Sequence, residues 1–265
     1  MKRNVAALRQ ALEGLGLAIQ FLTRVPLPVA CDWNPATRRW AARAYPVVGA
    51  LIGAALLLVA LLGASLPTPV LALLLVSLWV ALSGGLHLDG LMDLADALGA
   101  NVSLERRWAI MKDPQVGSFA ILALIFHLAW KVALVWALLE IAVVHEQRLG
   151  LWWWVAIPAL ARFGAVALLV SIPAARAEGL AHVWQQGLGL RDLAWAALIL
   201  AGLCLVAPLG VAGLGLALGA FTIIFGLGMA RAFHGINGDM LGAAIEGGEL
   251  WLLLCLSSWW WFATA

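Results

Sequence analysis

The sequence predicts an all-α integral membrane protein, a single polytopic bundle of about seven transmembrane helices preceded by an amphipathic helix at the membrane surface. Of its 265 residues, 64% are hydrophobic and only 11% are charged, whereas a soluble domain is about half apolar and a quarter charged. The charges also leave uncharged runs of about 20 residues, the length that a helix needs to cross a bilayer. We expect residues 1–43 to form an N-terminal cytoplasmic segment and residues 44–265 to form one transmembrane domain.

The first element is a surface helix over residues 5–22. Its apolar residues recur at helical spacing, but Arg9, Glu13 and Gln20 interrupt them. We therefore predict that this helix lies on the membrane surface and does not cross the bilayer. It should end before Pro26, which cannot continue a helix.

The spans follow as seven apolar segments. Five are predicted near residues 45–64, 69–87, 117–139, 150–172 and 249–263, and the uncharged run 193–230, broken around Pro208 to Gly213, supplies two more. Glycines crowd residues 210–228 and predict a surface on which neighbouring helices pack closely. Such faces also allow packing between copies of the chain as a homo-oligomer.

Positive charges predict the orientation, because cytoplasmic loops carry an excess of lysine and arginine. One side of the predicted bundle holds 13 of the 16 basic residues, and the other side holds only Arg148. The N-terminus should therefore be cytoplasmic and the C-terminus outside. The tryptophans at residues 152–154 and 259–261 then fall at the outer interface, where an aromatic belt is expected.

The composition excludes several functions. A net charge of +2 offers no surface for a polyanion, so we expect no nucleic acid as a partner. Cys31, Cys204 and Cys255 are far apart and lack the spacing of a metal site. The sequence contains no phosphate-binding loop, no nucleophile elbow and no dinucleotide fingerprint.

A cluster of acidic residues directly after the second span predicts the position of the catalytic site. Asp89, Asp93 and Asp96 are spaced i, i+4 and i+7, so on a helix they project within about 60° of one another. Such carboxylates repel each other, and hard oxygen ligands suit Mg²⁺, which would relieve the repulsion. The alternative is a solvated acidic helix end.

Further polar residues are expected on the same membrane side. Basic residues beside a metal suit phosphate oxygens, although they also fit positive-inside anchoring. Arg162 lies inside the fourth span, where a charge either binds phosphate or is paired structurally. The candidates for substrate or phosphate binding are Arg106, Arg107, Lys112, Asp113, Arg162, Asn237 and Glu246, with Asp239 as a further catalytic acid.

Four stretches of the chain resemble the cobalamin synthase family, the adenosylcobinamide-GDP ribazoletransferases. They are FLTRVPLP at 21–28, GLHLDGLMDLAD at 85–96, IMKDPQVGSF at 110–119 and GDMLGA at 238–243. The second and third stretches, at this separation, are the specific signal. Arg162 and the segment around Arg176 also match family positions, which adds Arg176 to the candidates.

The resemblance implies a reaction of cobalamin biosynthesis at the bacterial inner membrane. Adenosylcobinamide-GDP and α-ribazole, or its 5′-phosphate, would give adenosylcobalamin or its 5′-phosphate and release GMP. In a compatible mechanism Asp89, Asp93 and Asp96 hold Mg²⁺ on the diphosphate, while Lys112 and Arg162 balance its charge. Either Asp93 or Asp239 accepts the proton of the attacking ribose hydroxyl.

Two other functions stay open at this point. A membrane phosphotransferase of the CDP-alcohol type also strings aspartates along helices, but after Asp89 and Gly90 the later acids come too soon for that signature. An ion-coupled transporter would place carboxylates near the midplane in two related halves. Here the acids are interfacial and one-sided.

Overall fold

The computed structural model describes residues 2–144, 151–205 and 207–264, and in these residues helices are joined by loops, with one isolated β-bridge between Ala174 and Ile236. Arg148, the basic residue predicted on the outer side, lies outside the described residues. The helices are α1 (Lys2–Leu22), α2 (Pro35–Leu62), α3 (Thr68–Ser83), α4 (Leu86–Gly99), α5 (Leu104–Ile110), α6 (Ser118–Val144), α7 (Trp152–Ser171), α8 (Leu180–Gln185), α9 (Leu190–Cys204), α10 (Pro208–Phe233) and α11 (Gly238–Thr264). The predicted all-α class is confirmed.

The number of spans differs from the prediction. Among the described residues, five helices are long and apolar enough to cross a membrane, namely α2, α6, α7, α10 and α11. α3 has only 16 residues and α9 only 15, fewer than a span normally needs. α3 and α4 together would make a sixth, broken span. The count of seven is therefore not confirmed, although a helix lies at every predicted place.

The break between α3 and α4 is made by two consecutive glycines. Gly84 and Gly85 have φ angles of 63° and 72°, in the left-handed region that glycine adopts without steric cost. A Cβ at Gly84 would also lie 1.9 Å from the side chain of Arg24. α4 consequently turns through 89° relative to α3 and runs across the end of the bundle.

The N-terminal region agrees with the predicted amphipathic helix. α1 ends at Leu22, before Pro26, and buries Leu17 and Leu22 while Leu8 and Leu12 stay exposed. α2 then begins at Pro35, capped by the Asn34 carboxamide, which accepts a hydrogen bond from the Thr37 N–H at 3.0 Å.

The core lies along the central helices α2, α7 and α11. Buried side chains such as Leu56, Ile157, Ile245 and Leu252 form it. Trp153 and Trp154 belong to this interior and stack at 4.0 Å, whereas Trp259 and Trp261 are exposed. Only the second tryptophan group therefore has the exposed rings that the predicted belt requires.

The glycines of α10 do not behave as predicted. Gly210 packs against Trp152 and Gly226 against Leu168, but the other four glycines of the stretch face no described atom within 4 Å. The predicted close packing of neighbouring helices is therefore found only at Gly210 and Gly226. Most of this glycine face has no packing neighbour among the described residues.

Candidate active site

The three predicted carboxylates lie on one helix, as their spacing required. α4 buries Leu88, Leu94 and Ala97 against the bundle. Asp89 is exposed on the outer face of α4, and Asp93 and Asp96 are half-buried. These three carboxylates therefore lie along the border between the face of α4 that packs against the bundle and its unpacked face.

A fourth carboxylate joins them from α11. A Cβ at Gly90 would lie 2.4 Å from the backbone oxygen of Asp239, so α4 meets the first turn of α11 at this glycine. The negative charges of Asp89, Asp96 and Asp239 all act on Asp93. Within the described part of the chain, none of these four carboxylates has an ion-pair partner. The structure thus brings Asp239, one of the predicted catalytic acids, next to α4, and its catalytic role stays a prediction.

The carboxylates differ in how they are held. Asp96 accepts hydrogen bonds from the Gly117 N–H at 2.7 Å and the Ala120 N–H at 2.9 Å, at the start of α6. Asp239 accepts one from the Asn237 side chain at 2.8 Å. Asp89 and Asp93 receive none from the described residues. Asp96 therefore also fixes α6 to α4, whereas Asp89 and Asp93 keep their oxygens available.

This donor set fits Mg²⁺ only together with a phosphate ligand. Among the described residues, no three histidine, cysteine, aspartate or glutamate side chains converge closely enough to hold a metal ion alone. Mg²⁺, however, normally takes one or two carboxylates, several waters and the phosphates of its substrate. Asp89 and Asp93, which have no cationic or hydrogen-bonding partner among the described residues, are compatible with that role, and the binding of Mg²⁺ stays a prediction.

A cavity of about 420 Å³, which we call the charged cavity, opens beside Asp239. Lys112 and Arg176 supply positive charge to its wall, and the Arg176 guanidinium lies 4.6 Å from the ring centroid of Trp108. Asn237 and His182 also line it. The carboxylates of Glu178 and Asp239 line it as well, so two cations and two anions surround this space. Lys112 and Arg176 are its candidates for contacts with phosphate oxygens.

A second cavity, of about 320 Å³, adjoins the first and is mostly apolar. Phe21, Tyr45 and Trp184 form aromatic walls, and His87 adds a polar group. Both cavities are lined by Leu180, Ala181, Gly238 and Asp239. Asp239 therefore stands at the junction of the two spaces.

Backbone pairing fixes the segment that separates them. The N–H of Ala175 donates to Ile236 at 2.9 Å, and the N–H of Ile236 donates to Pro173 at 3.0 Å. The Gln185 carboxamide accepts from the Ala174 N–H at 2.9 Å and donates to the Ile172 oxygen at 2.7 Å. These bonds tie α8 and the loop before it to the loop that precedes α11.

Several predicted site residues lie elsewhere. Arg106 is exposed on α5. Arg107 donates to the Ala232 oxygen at 3.1 Å, at the end of α10. Asp113 accepts from the Gln115 N–H at 3.0 Å, which closes a local turn. None of the three lines either cavity described above, and their proposed contact with substrate stays a prediction.

Arg162 and Glu246 take part in a buried ion network inside the bundle. Arg162 donates to Glu249 at 2.6 Å, and Lys131 donates to Glu246 at 2.8 Å and to Glu249 at 2.6 Å. His127 lies 2.9 Å from Glu246. All five side chains are buried. Of the two uses considered for Arg162, the structure places it in a structural pair, and its binding of phosphate stays a prediction.

Most of this network and the whole apolar cavity were not predicted from the sequence. No role was predicted for Glu249 or His127. The signal that was available is that charged residues rarely lie inside spans unless they are paired, and α6, α7 and α11 each contain one or more. Phe21 begins the first family-like stretch, but no comparable signal marked Tyr45 and Trp184.

The chain was compared with known families and proteins. The family model described as cobalamin-5-phosphate synthase matches residues 14–257. A protein of Pseudomonas aeruginosa named adenosylcobinamide-GDP ribazoletransferase is 38% identical over 94% of this chain and 100% of its own length. Proteins of the same name from Geobacillus kaustophilus and Ralstonia nicotianae are each 35% identical, over 93% and 96% of this chain and 98% of their own lengths. No solved structure matches.

Proposed function

Since the chain belongs to the cobalamin-5-phosphate synthase family, we propose that it is an adenosylcobinamide-GDP ribazoletransferase. It transfers the cobinamide phosphate of adenosylcobinamide-GDP to a ribose hydroxyl of α-ribazole or α-ribazole 5′-phosphate and releases GMP. The observation that carries this proposal is the position of Asp239. It borders the charged cavity and the apolar cavity, beside the carboxylates of α4.

The reaction moves one phosphoryl group between two oxygens. The acceptor hydroxyl oxygen forms a bond to the phosphorus that carries cobinamide, and the bond from this phosphorus to the bridging diphosphate oxygen breaks. GMP leaves with that oxygen. Asp239 takes the hydroxyl proton in our proposal, because it is the carboxylate that faces both cavities.

The donor diphosphate occupies the charged cavity. Lys112 and Arg176 lie there to offset its negative charge. Arg176 also stacks over Trp108, which holds the guanidinium in a defined orientation. The ribose hydroxyl then has to approach from the opposite side, which is the side of the apolar cavity.

We propose that Mg²⁺ is bound by Asp89 and Asp93 together with the donor phosphates. When bound, the ion neutralises charge on the diphosphate and on the departing GMP. Asp96 orients α4 against α6 through its bonds to Gly117 and Ala120, and thereby holds the other two aspartates in place. The donor set supports this assignment because Asp89 and Asp93 have no competing partner among the described residues.

We further propose that the site faces the cytoplasm at the bacterial inner membrane. The excess of basic residues on the side of the site supports this orientation. The apolar helices support a multi-pass protein in the bilayer. An epitope tag at each end, probed in intact cells and in opened cells, would test it.

The central experiment measures GMP release by the full chain purified in detergent or lipid. Both substrates and Mg²⁺ are supplied, and each is omitted in turn. The proposal requires GMP only when all are present, and it requires Asp93→Asn and Asp239→Asn to lose at least 100-fold in kcat. Asp32→Asn is the matched control, since Asp32 is an exposed aspartate that lines neither cavity. Equal loss in Asp32→Asn, or no GMP from folded wild type, would refute the proposal.

A further inference from the structure

A further cavity, of about 410 Å³, forms an open groove between α1, α2 and α9, and we call it the side groove. α2 lines it with Ala44 and Val47, α1 with Leu12, and α9 with Trp195 and Leu198. None of the described residues that line it also lines the charged cavity or the apolar cavity. The side groove therefore has no part in the reaction proposed above.

The apolar side chains of the side groove are exposed. Leu12, Trp195 and Leu198 are 61%, 50% and 61% exposed. α2 is long and apolar enough to cross a membrane, so lipid surrounds the outer surface of this helix. Exposed apolar surface that is bordered by polar groups marks a site of interaction with a membrane or a partner.

Two arginines at the side groove share one carboxylate. Arg43 lines the groove, and its guanidinium lies 2.7 Å from Asp192. Arg39, one helical turn earlier, lies 3.3 Å from the same carboxylate oxygen. Asp192 is buried and also accepts a hydrogen bond from the Gly189 N–H at 3.1 Å. Among the described residues neither arginine has a second carboxylate partner, so this cluster carries one excess positive charge.

The three helices that form the side groove do not supply the missing anion. Their acidic residues are Asp192 and Glu13. Glu13 is already paired with Arg9, at 2.8 Å. Arg191, next to Asp192 in the sequence, is exposed and adds a further positive charge. The excess charge at the groove is therefore not neutralised by the helices around it.

Two tryptophan rings hold the guanidinium of Arg43 at the groove. Its central carbon lies 4.5 Å from the ring centroid of Trp40 and 5.9 Å from that of Trp195. Such contacts are favourable, but they leave the positive charge in place. Tryptophan is also enriched at the level of the lipid headgroups. The side groove thus combines a cation, aromatic rings suited to the headgroup level and an exposed apolar surface.

We propose that the side groove binds one anionic phospholipid. The phosphate contacts Arg43, and an acyl chain lies along Val47 and Leu198. Arg39 supplies the positive charge that Asp192 leaves without a counter-ion, and this charge favours an anionic headgroup. A zwitterionic lipid carries its own ammonium group and a soluble phosphate lacks the chain, so each complements only half of the groove. The bound lipid connects the surface helix α1 to α2 and α9.

The first test measures lipid binding to the full chain by native mass spectrometry in a nonionic detergent. Wild type should retain one phosphatidylglycerol at a concentration about fivefold lower than it needs for phosphatidylcholine, the factor that about 1 kcal/mol for one basic residue gives. Arg39→Gln leaves Arg43 and Asp192 as a neutral pair and should abolish this preference. Arg231→Gln, at an exposed arginine in the last turn of α10, is the matched control and should keep it. Equal affinity of wild type for the two lipids, or an unchanged preference in Arg39→Gln, would overturn the proposal.

A second pair of variants adds a carboxylate to α1 and leaves the arginines unchanged. Leu12→Glu places it in the side groove, whereas Leu8→Glu places it at a similarly exposed position of the same helix that does not line the groove. Leu12→Glu should abolish the preference for phosphatidylglycerol, and Leu8→Glu should keep it. Equal behaviour of the two variants would overturn the proposal. Thermal unfolding midpoints show which variants are folded, and this pair decides alone if Arg39→Gln is not.

Three further measurements separate a lipid from other occupants of the groove. A phosphatidylglycerol with a photoreactive acyl chain should label the peptides that contain Val47 and Leu198, and labelling spread evenly over the helices would overturn the proposal. Glycerol phosphate in large excess should not displace the lipid, since displacement would indicate a site for phosphate alone. Two chains cross-linked through Leu198 would show that a second copy covers the groove, which would also overturn the proposal. None of these tests uses the substrates, so their outcome is independent of the transferase proposal.

Discussion

Replacing Glu249 by leucine should destabilise the bundle strongly, because this carboxylate neutralises two buried cations. Its oxygens accept from Arg162 at 2.6 Å, from Lys131 at 2.6 Å and from the Trp79 indole at 3.1 Å. Lys131, Arg162, Glu246 and Glu249 carry no net charge together. Glu249→Leu leaves an excess positive charge and deprives Arg162 of its one carboxylate partner among the described residues.

The magnitude follows from the burial of the pair. Removing one member of a buried ion pair costs about 3–5 kcal/mol, since the remaining charge stays desolvated. Arg162→Leu should cost a similar amount. The double variant, however, restores neutrality and keeps the Lys131–Glu246 pair, so it should cost clearly less than the sum of the two single variants.

The assay is thermal unfolding of the four proteins in one detergent, with the midpoints compared as a double-mutant cycle. Each single variant should lower the midpoint by roughly 10 °C, at about 2–4 °C per kcal/mol. Asp32→Asn, at an exposed aspartate between α1 and α2, is the control and should shift it little. Additive losses in the double variant would show that Arg162 and Glu249 do not act as a pair.

Three further outcomes are expected at the site. Gly117→Ala should lower GMP release more than tenfold, because its Cβ would lie 2.5 Å from an Asp96 oxygen and displace that carboxylate; wild-type rates would contradict this. Gly90→Ala should separate α4 from α11 at Asp239, because its Cβ would lie 2.4 Å from the Asp239 backbone oxygen, and should reduce both the unfolding midpoint and kcat. A lower midpoint with an unchanged kcat would show that this contact is merely structural. Chelation with EDTA should abolish GMP release, and added Mg²⁺ should restore it. The Asp93→Asn variant should require more Mg²⁺ for a half-maximal rate. GMP release in the presence of EDTA would exclude the metal site.

Local patterns in the sequence were sufficient for the elements that carry the acids. The i, i+4, i+7 spacing predicted that Asp89, Asp93 and Asp96 share a helix face, and α4 confirms it. Helical periodicity gave the N-terminal helix, and Pro26 gave its limit. These features depend on neighbours within two turns, which is the range that spacing reports.

Features that depend on pairing between distant segments were not predictable in this way. The apolar cavity joins α1, α2, α4, α7, α8 and α11, and Phe21 lies 163 residues from Trp184 in sequence. The length of α9 was also misjudged, since apolar composition alone does not fix where a helix ends. A charge within a span predicts that a partner exists, but Arg162 by itself does not identify Glu249.

The buried ion network also has a consequence for how the chain is made. Lys131 lies on α6, whereas its carboxylate partners lie on α11, 115 and 118 residues later. At a synthesis rate of about 5–20 residues per second, the two glutamates are synthesised roughly 6–23 s after the lysine. During that time an unpaired lysine in a span costs about 3 kcal/mol. The ion network can therefore form only after α11 has been synthesised.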